Sequence, residues 1–302
     1  MQNIITFPNL GLDFAINPIA FSIGQKHIYW YGIIIACGFF FATIYAMKRS
    51  SHFGMVEDDI LDTVLLAAPV SIIFARLYYV LFSLELYNSF VDIFKVWEGG
   101  LAIYGGVIGG ALSFFIISKL KKVNFLSLLD IGACSILLGQ AIGRWGNFIN
   151  AEAYGAETTS LFMMTFGGEI GYHPTFLYES VWNFIGFLLL YIVSKYFYRF
   201  RGQMALSYLI WYGFGRGFIE GLRTDSLWLG SFRISQVLGF VTCAIASVIL
   251  IYLLKKPLNI LKFENAHDDS AVCDNNLQSV EQSNEIKNEN LEQEEEKQDD
   301  IT

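Results

Sequence analysis

Seven stretches of this chain are each long and apolar enough to cross a lipid bilayer, and that leaves few folds open to it. A bilayer core is about 30 Å thick, and a helix needs roughly 20 apolar residues to span it. The stretches run near Ile28–Met47, Ile60–Phe82, Leu101–Leu120, Phe125–Ile149, Phe176–Phe197, Met204–Gly221 and Ile234–Leu254. The chain is therefore expected to be an all-α integral membrane protein with seven transmembrane helices. The run Ile4–Ile23 is broken by Pro8, Asp13 and Pro18, so it is expected at the interface rather than across it. The segment before Pro8 has no basic region and no continuous apolar stretch, so no cleavable signal peptide is expected.

Charge gives the orientation once the tail is set aside. Only 16% of the residues are charged, against about 25% in a soluble domain. Thirteen acidic side chains and two lysines lie between Phe263 and Thr302, so the first 262 residues carry +3 although the whole chain carries −8. Residues 263–302 have no aromatic side chain after Phe263 and too few apolar ones to bury a core, so they are expected to form a disordered acidic tail beside a membrane domain of residues 1–262. Lys48 and Arg49 follow the first span, Lys119, Lys121 and Lys122 the third, Lys195, Arg199 and Arg201 the fifth, and Lys255 and Lys256 the seventh. Residues 150–175 contain no basic side chain except His173, and the loop before the third span has only Lys95. Basic loops stay in the cytoplasm. The N-terminus is thus expected outside and the C-terminus in the cytoplasm.

A charge at the bilayer centre costs roughly 2.5–3.5 kcal/mol, so each polar residue in a span needs a reason. Arg144 and Asn147 are three apart at the outer end of the fourth span and share a helix face, with Glu152 just beyond. Tyr212, Arg216, Glu220 and Arg223 recur at helical spacing at the outer end of the sixth, where Glu220 is placed to pair with Arg216. His173, Pro174 and Thr175, with Tyr178 and Glu179, open the fifth span, where a capping and anchoring segment is the simpler reading. Tyr104 stands in a glycine-rich start to the third span. Its pairs Gly105/Gly109 and Gly106/Gly110 have the spacing of helix-packing sites, above all at Gly109 and Gly110. Arg76 lies in the second span, and Tyr29, Trp30 and Tyr31 open the first as an aromatic belt. Cys37, Cys134 and Cys243 sit in apolar runs and form no CxxC pair, so they read as small apolar residues. No metal site and no cofactor are expected, nor is nucleic acid as a partner. Two arginines on different helices suggest an anion held between them, and guanidinium groups suit phosphate. A lipid enzyme and a transporter of an anionic solute both fit these residues.

The run from Gly143 to Gly155, Gly-Arg-Trp-Gly-Asn-Phe-Ile-Asn-Ala-Glu-Ala-Tyr-Gly, closely resembles the signature of bacterial prolipoprotein diacylglyceryl transferases. The resemblance continues through Trp30-Tyr31-Gly32, the glycine-rich run around Tyr104, His173 to Glu179, and Tyr212 to Arg223, covering about residues 15–255. It implies a seven-helix enzyme of the bacterial cytoplasmic (inner) membrane. Such an enzyme moves the diacylglyceryl group of phosphatidylglycerol to the lipobox cysteine of a prolipoprotein signal peptide, releasing glycerol-1-phosphate. By motif position, Arg144 and Arg216 bind the lipid phosphate. Asn147, Glu152 and Tyr31 complete the polar site, and Glu220 orients Arg216. Tyr212 and His173 are further substrate contacts. Many family members carry a histidine, viewed as the thiol's base, where this chain has Tyr104. A phenol in water ionises near pH 10 and is a poor neutral-pH base, so the resemblance leaves Tyr104 tuned by a nearby arginine, Glu152 or His173 as the base, or a transfer that needs little base help.

Overall fold

Seven long helices follow one another along the chain with boundaries close to the apolar stretches. The structure, a computed structural model, describes residues 2–87, 89–224, 228–229 and 232–256. Helix α1 spans Trp30–Arg49, α2 Glu57–Phe82, α3 Ile103–Leu120, α4 Phe125–Asn150, α5 Thr175–Tyr196, α6 Gln203–Ile219 and α7 Ile234–Lys255. All but α6 are long and apolar enough to cross a membrane. Helix α6 has 17 residues, and a 3-10 turn, Glu220–Leu222, prolongs it. The protein is a mostly helical, multi-pass membrane protein. The acidic segment 263–302, with Cys273, lies outside the described residues.

The burial pattern is that of a bundle made for lipid. Phe40, Phe82, Val107, Leu120 and Val248 are each more than half exposed. Ser113, Ser135, Ser180, Asn183 and Ser194 are buried. Exposed apolar surface on this scale is a membrane-facing feature. The three cysteines differ: Cys134 is buried, Cys243 half-buried and Cys37 exposed. Helix α4 is the axis of the bundle, packing against α1, α5 and α6, while α2 pairs with α3 and α6 with α7. The α2–α3 contact needs Gly109, where a Cβ would stand 2.8 Å from the Val70 carbonyl oxygen. Gly105 lies closer still on the α2 backbone, against the Phe74 carbonyl. Gly110 is not such a position, since a Cβ there would meet only Ser71 Oγ, at 3.3 Å. The tight pair is therefore Gly105/Gly109. Gly106 and Gly110 also face α2, but with room for a Cβ at ordinary or nearly ordinary distance from Ser71 and Ala75.

The all-α expectation is incomplete. The segment read as interfacial forms two antiparallel hairpins, β1 (Asn3–Phe7) with β2 (Leu12–Ile16), and β3 (Ile19–Ile23) with β4 (Lys26–Tyr29). Two short strands, β5 (Trp228–Leu229) and β6 (Phe232–Arg233), precede α7. In β1 the alternation buries Ile5 and Phe7 and exposes Ile4, a period of two that favours a strand. Gly11, at φ 64°, closes the following turn. Ile5 and Phe7 pack with Phe148 of α4 and Phe176 of α5. Asn3 Nδ2 also donates to the Ile149 carbonyl at 2.9 Å. The hairpin thus braces the ends of two of the helices on which the polar side chains converge.

Two buried charges tie loops to the bundle. At one end, the Asp130 carboxylate accepts from Tyr198 Oη at 2.6 Å and from the backbone N–H groups of Gly202 and Ala205 at 2.6 and 2.9 Å, fixing the start of α6. Burial, with the Asp130 charge beside it, pushes the Tyr198 phenol well above its ordinary range. At the other end, Arg76 donates to the carbonyls of Ile93 (2.7 Å), Asp92 (2.8 Å), Gly99 (2.6 Å) and Gly100 (3.2 Å). Its guanidinium also lies 5.1 Å from the Tyr87 ring centroid. Arg76 is thus the organiser of the α2–α3 connection. Arg76→Ala is expected to speed trypsin cleavage after Lys95 by at least about tenfold through local opening of that connection. An unchanged cleavage rate would contradict this role.

Candidate functional site

The polar residues converge where α4 ends, α5 begins and α6 ends. Glu179, one turn into α5, is at the centre and is buried. One carboxylate oxygen, Oε2, pairs with Arg144 Nη2 of α4. The other, Oε1, faces Arg216 Nη1 of α6 at 3.5 Å and accepts from Arg223 Nη1 at 3.1 Å. Glu220, also buried, holds Arg216 Nη2 at 2.6 Å, and its backbone carbonyl accepts from Arg233 Nη1. The exposures decide which groups face outward. The side chains of Arg144 and Arg216 are 24% and 20% exposed, while those of Glu179 and Glu220 are 5% and 2% exposed. The carboxylates are the enclosed members of the cluster and the arginine side chains its more open ones. That is the arrangement of an anion site whose own counter-charges keep it insertable.

The chain around the cluster is built to hold this geometry. Asn147 bridges Arg144 and Glu152. Its Oδ1 accepts from Arg144 Nη1 at 3.4 Å and its Nδ2 donates to Glu152 Oε1 at 3.0 Å. Glu152 returns over Asn147 because the chain reverses through two left-handed alanines, Ala151 at φ 53° and Ala153 at φ 55°. Such conformations are unfavourable for residues with a Cβ and recur at functional sites. Thr175 Oγ1 holds the Ala153 carbonyl at 2.5 Å, and Ala156 N donates to the Leu222 carbonyl at 2.6 Å. The loop after α4 is thereby sewn to the end of α6.

Of the residues expected in the site, contacts link Arg144, Asn147, Glu152, Arg216 and Glu220. Tyr31 joins through packing: its ring lies on Gly146, where a Cβ would stand 2.7 Å from Tyr31 Cδ2. Tyr212 stacks on Tyr208 one turn before Arg216, with ring centroids 5.4 Å apart. His173 Nδ1 faces Tyr178 Oη at 3.3 Å. Tyr104 stands on the first turn of α3, 42% exposed, with Tyr78 of α2 as its ring neighbour at 6.2 Å. Among the described residues no hydrogen bond or ion pair joins His173 or Tyr104 to the arginines. The single helical face expected from Tyr212 to Arg223 is corrected. Helix α6 stops at Ile219, Glu220–Leu222 is a 3-10 turn, and Arg223 is extended. Asp225 of that run lies outside the described residues.

Sequence reading misses the centre of the cluster, because it takes Glu179 as part of a capping segment. One signal is present: Glu179 has no basic residue three or four positions away on its own helix, so a charge partner must come from another. Removing one member of a buried charge cluster costs about 3–5 kcal/mol. Glu179→Gln should therefore lower thermal stability in detergent by that order. Glu152→Gln, at an exposed position, should stay within about 0.5 kcal/mol. Equal melting temperatures for wild type and Glu179→Gln would refute the central place of this carboxylate.

Comparison with known proteins shows the family of the chain. The family model described as prolipoprotein diacylglyceryl transferase matches residues 18–252. The phosphatidylglycerol–prolipoprotein diacylglyceryl transferase of Listeria welshimeri is 45% identical over 249 residues, 78% of this chain and 90% of the relative. The transferase of the same name from Bacillus velezensis is 46% identical over 251 residues, 78% of this chain and 92% of its own. That of Bacillus cereus is 44% identical over 259 residues, covering 82% and 95%. With the match running through every helix that carries the cluster, the chain belongs to the prolipoprotein diacylglyceryl transferase family.

Proposed function

We propose that the protein transfers the diacylglyceryl group of phosphatidylglycerol to the lipobox cysteine of prolipoprotein signal peptides. The observation that carries this reading is the pair Arg144 and Arg216, joined through buried Glu179 inside an apolar bundle of a family named for this transfer. No observation favours the rival reading of an anion transporter. The thiol sulfur attacks the glycerol carbon that bears the phosphate ester. A carbon–sulfur bond forms, the carbon–oxygen bond breaks, and its electron pair leaves with glycerol-1-phosphate. Negative charge builds on the departing phosphate, where two partly exposed arginine side chains are worth most because the site is apolar and preorganised. Glu220 orients Arg216, Asn147 orients Arg144, and Tyr31 closes the lipid side.

The thiolate is the nucleophile, so a proton must leave the cysteine. Glu152 fits this task best. It is an exposed carboxylate held one hydrogen bond from Asn147, itself bonded to Arg144. A thiol attacking the glycerol carbon of a lipid whose phosphate is held at Arg144 would lie beside it. Tyr104, turned toward Tyr78, then acts as a wall of the substrate path rather than as the base. His173 and Tyr212 line the edges of the site.

The basic side chains that follow α1, α3, α5 and α7 all belong to the end of the bundle away from the cluster. Basic loops stay in the cytoplasm. We therefore place the N-terminus outside and the site at the outer leaflet of the bacterial cytoplasmic (inner) membrane, with all seven helices crossing it. Residues 263–302 then form an acidic cytoplasmic tail.

In vesicles of phosphatidylglycerol, the wild type should raise the mass of a lipobox peptide by one diacylglyceryl unit. Arg144→Ala and Arg216→Ala should each lower the rate by about 10²-fold or more while the protein still inserts. Tyr104→Phe should change it only a few-fold, since a wall of the substrate path needs the ring and not the hydroxyl. Near-normal transfer by Arg144→Ala would overturn the phosphate role, and a loss in Tyr104→Phe as large as in Arg144→Ala would make that phenol catalytic.

A further inference from the structure

One turn below the arginine cluster, on each of its three helices, lies a second polar layer that the transfer chemistry does not use. Gln140 precedes Arg144 by one turn on α4, Asn183 follows Glu179 by one turn on α5, and Tyr212 and Tyr208 precede Arg216 by one and two turns on α6. The contacts of Arg144, Glu179 and Arg216 with one another set the shared interior face of these helices. Residues four apart keep that face. Gln140 Nε2 and Tyr208 Oη are 3.3 Å apart, and Tyr208 stacks on Tyr212. Asn183 is only 2% exposed. Yet Asn183 Nδ2 and Gln140 Oε1 are both buried without a hydrogen-bond partner in the protein.

Other polar groups at this level are already used. Ser180 Oγ donates to the Ala141 carbonyl at 2.7 Å. Trp182 and Trp211 stack 4.2 Å apart, and each indole N–H donates to the other's backbone carbonyl at 3.1 and 3.0 Å. This reciprocal pair locks α5 to α6 at the height of Asn183, so the layer is rigid. A buried amide edge left unpaired is destabilising, and two of them on one face point to a ligand that satisfies both.

We propose that Gln140, Asn183 and Tyr208 form a hydroxyl-binding subsite that reads the glycerol end of the phosphatidylglycerol headgroup. The inference rests on the transferase function and adds the group that selects the lipid. With the phosphate at Arg144 and Arg216 and the headgroup turned into the bundle interior rather than toward water, the glycerol reaches about one helical turn, or about 5.4 Å, deeper, which is the spacing to this layer. Amide and phenol groups both donate and accept, and so does a glycerol hydroxyl. The layer itself is neutral and supplies no counter-charge for a quaternary or primary ammonium, and the carboxylates one turn away are already paired with arginines. A site built to bond a hydroxyl rejects an analogue lacking it, because its own buried groups then stay unpaired.

The test compares two lipids with the same phosphodiester charge, phosphatidylglycerol and phosphatidylpropanol, the second lacking headgroup hydroxyls. Each is presented in vesicles to reconstituted full-length protein with a lipobox peptide. The wild type should use phosphatidylglycerol faster by on the order of tenfold. In Asn183→Leu and in Gln140→Met that ratio should fall to near one, chiefly through a slower reaction with phosphatidylglycerol. Gln140 is only half-buried, so its near-isosteric replacement carries the test if Asn183→Leu does not fold. A wild-type ratio near one, or variants that slow while keeping the wild-type ratio, would overturn the subsite and leave the transferase standing. Absence of transfer from either lipid by the wild type would overturn the transferase reading and the subsite with it.

Discussion

The buried carboxylate of Glu179 is the interaction on which the cluster depends. Arginine side chains in an apolar bundle repel one another and carry a large insertion cost. Glu179 draws Arg144 of α4, Arg216 of α6 and Arg223 of the following loop to one point. Without that shared counter-charge the three guanidinium groups would repel one another across the point where α4, α5 and the end of α6 meet. Its burial matters as much as its charge. Because Glu179 and Glu220 are enclosed, they neutralise the arginines for folding while part of each arginine side chain stays open. The same contacts that make the bundle stable thus make it receptive to an anion.

The surrounding elements work to keep those helix ends in place. The N-terminal hairpin packs Ile5 and Phe7 on Phe148 and Phe176, at the last turn of α4 and the first of α5. The loop after α4 turns back through Ala151 and Ala153 and is bonded to the end of α6. Arg76 uses its charge differently: it has carbonyls rather than carboxylates around it, and it organises a connection. One residue type therefore does two jobs in this protein, and the partners tell them apart. An arginine surrounded by backbone oxygens has its donors spent on the fold, whereas one resting on an enclosed carboxylate keeps an open part for a ligand.

Much of the fold is legible in the sequence because bilayer thickness dictates helix length. The fourth stretch is expected at Phe125–Ile149 and the helix runs Phe125–Asn150. The hairpins are not legible as such. Pro8, Asp13 and Pro18 argue correctly against a span, but the strand pattern is only a few residues long and its packing partners lie far along the chain. Within the site, Arg144 with Asn147, and Arg216 with Glu220, are legible as neighbours on one helix. Glu179 is not, because every partner it has belongs to another element. Arg223 is singled out by spacing on a helix that in fact ends before it, so its position is found for the wrong geometric reason. The family signature supplies what spacing does not, since it groups residues by a shared task rather than by distance along a helix.

The central claim is that two arginines backed by a buried glutamate hold the phosphate of a lipid. The most direct test is equilibrium binding of phosphatidylglycerol, without an acceptor peptide, to detergent-solubilised wild type and to the double variant Arg144→Gln/Arg216→Gln. Saturable binding is predicted for the wild type, and its loss, by about 10²-fold or more in affinity, for a double variant that remains folded. Wild-type affinity in that folded double variant would contradict the claim.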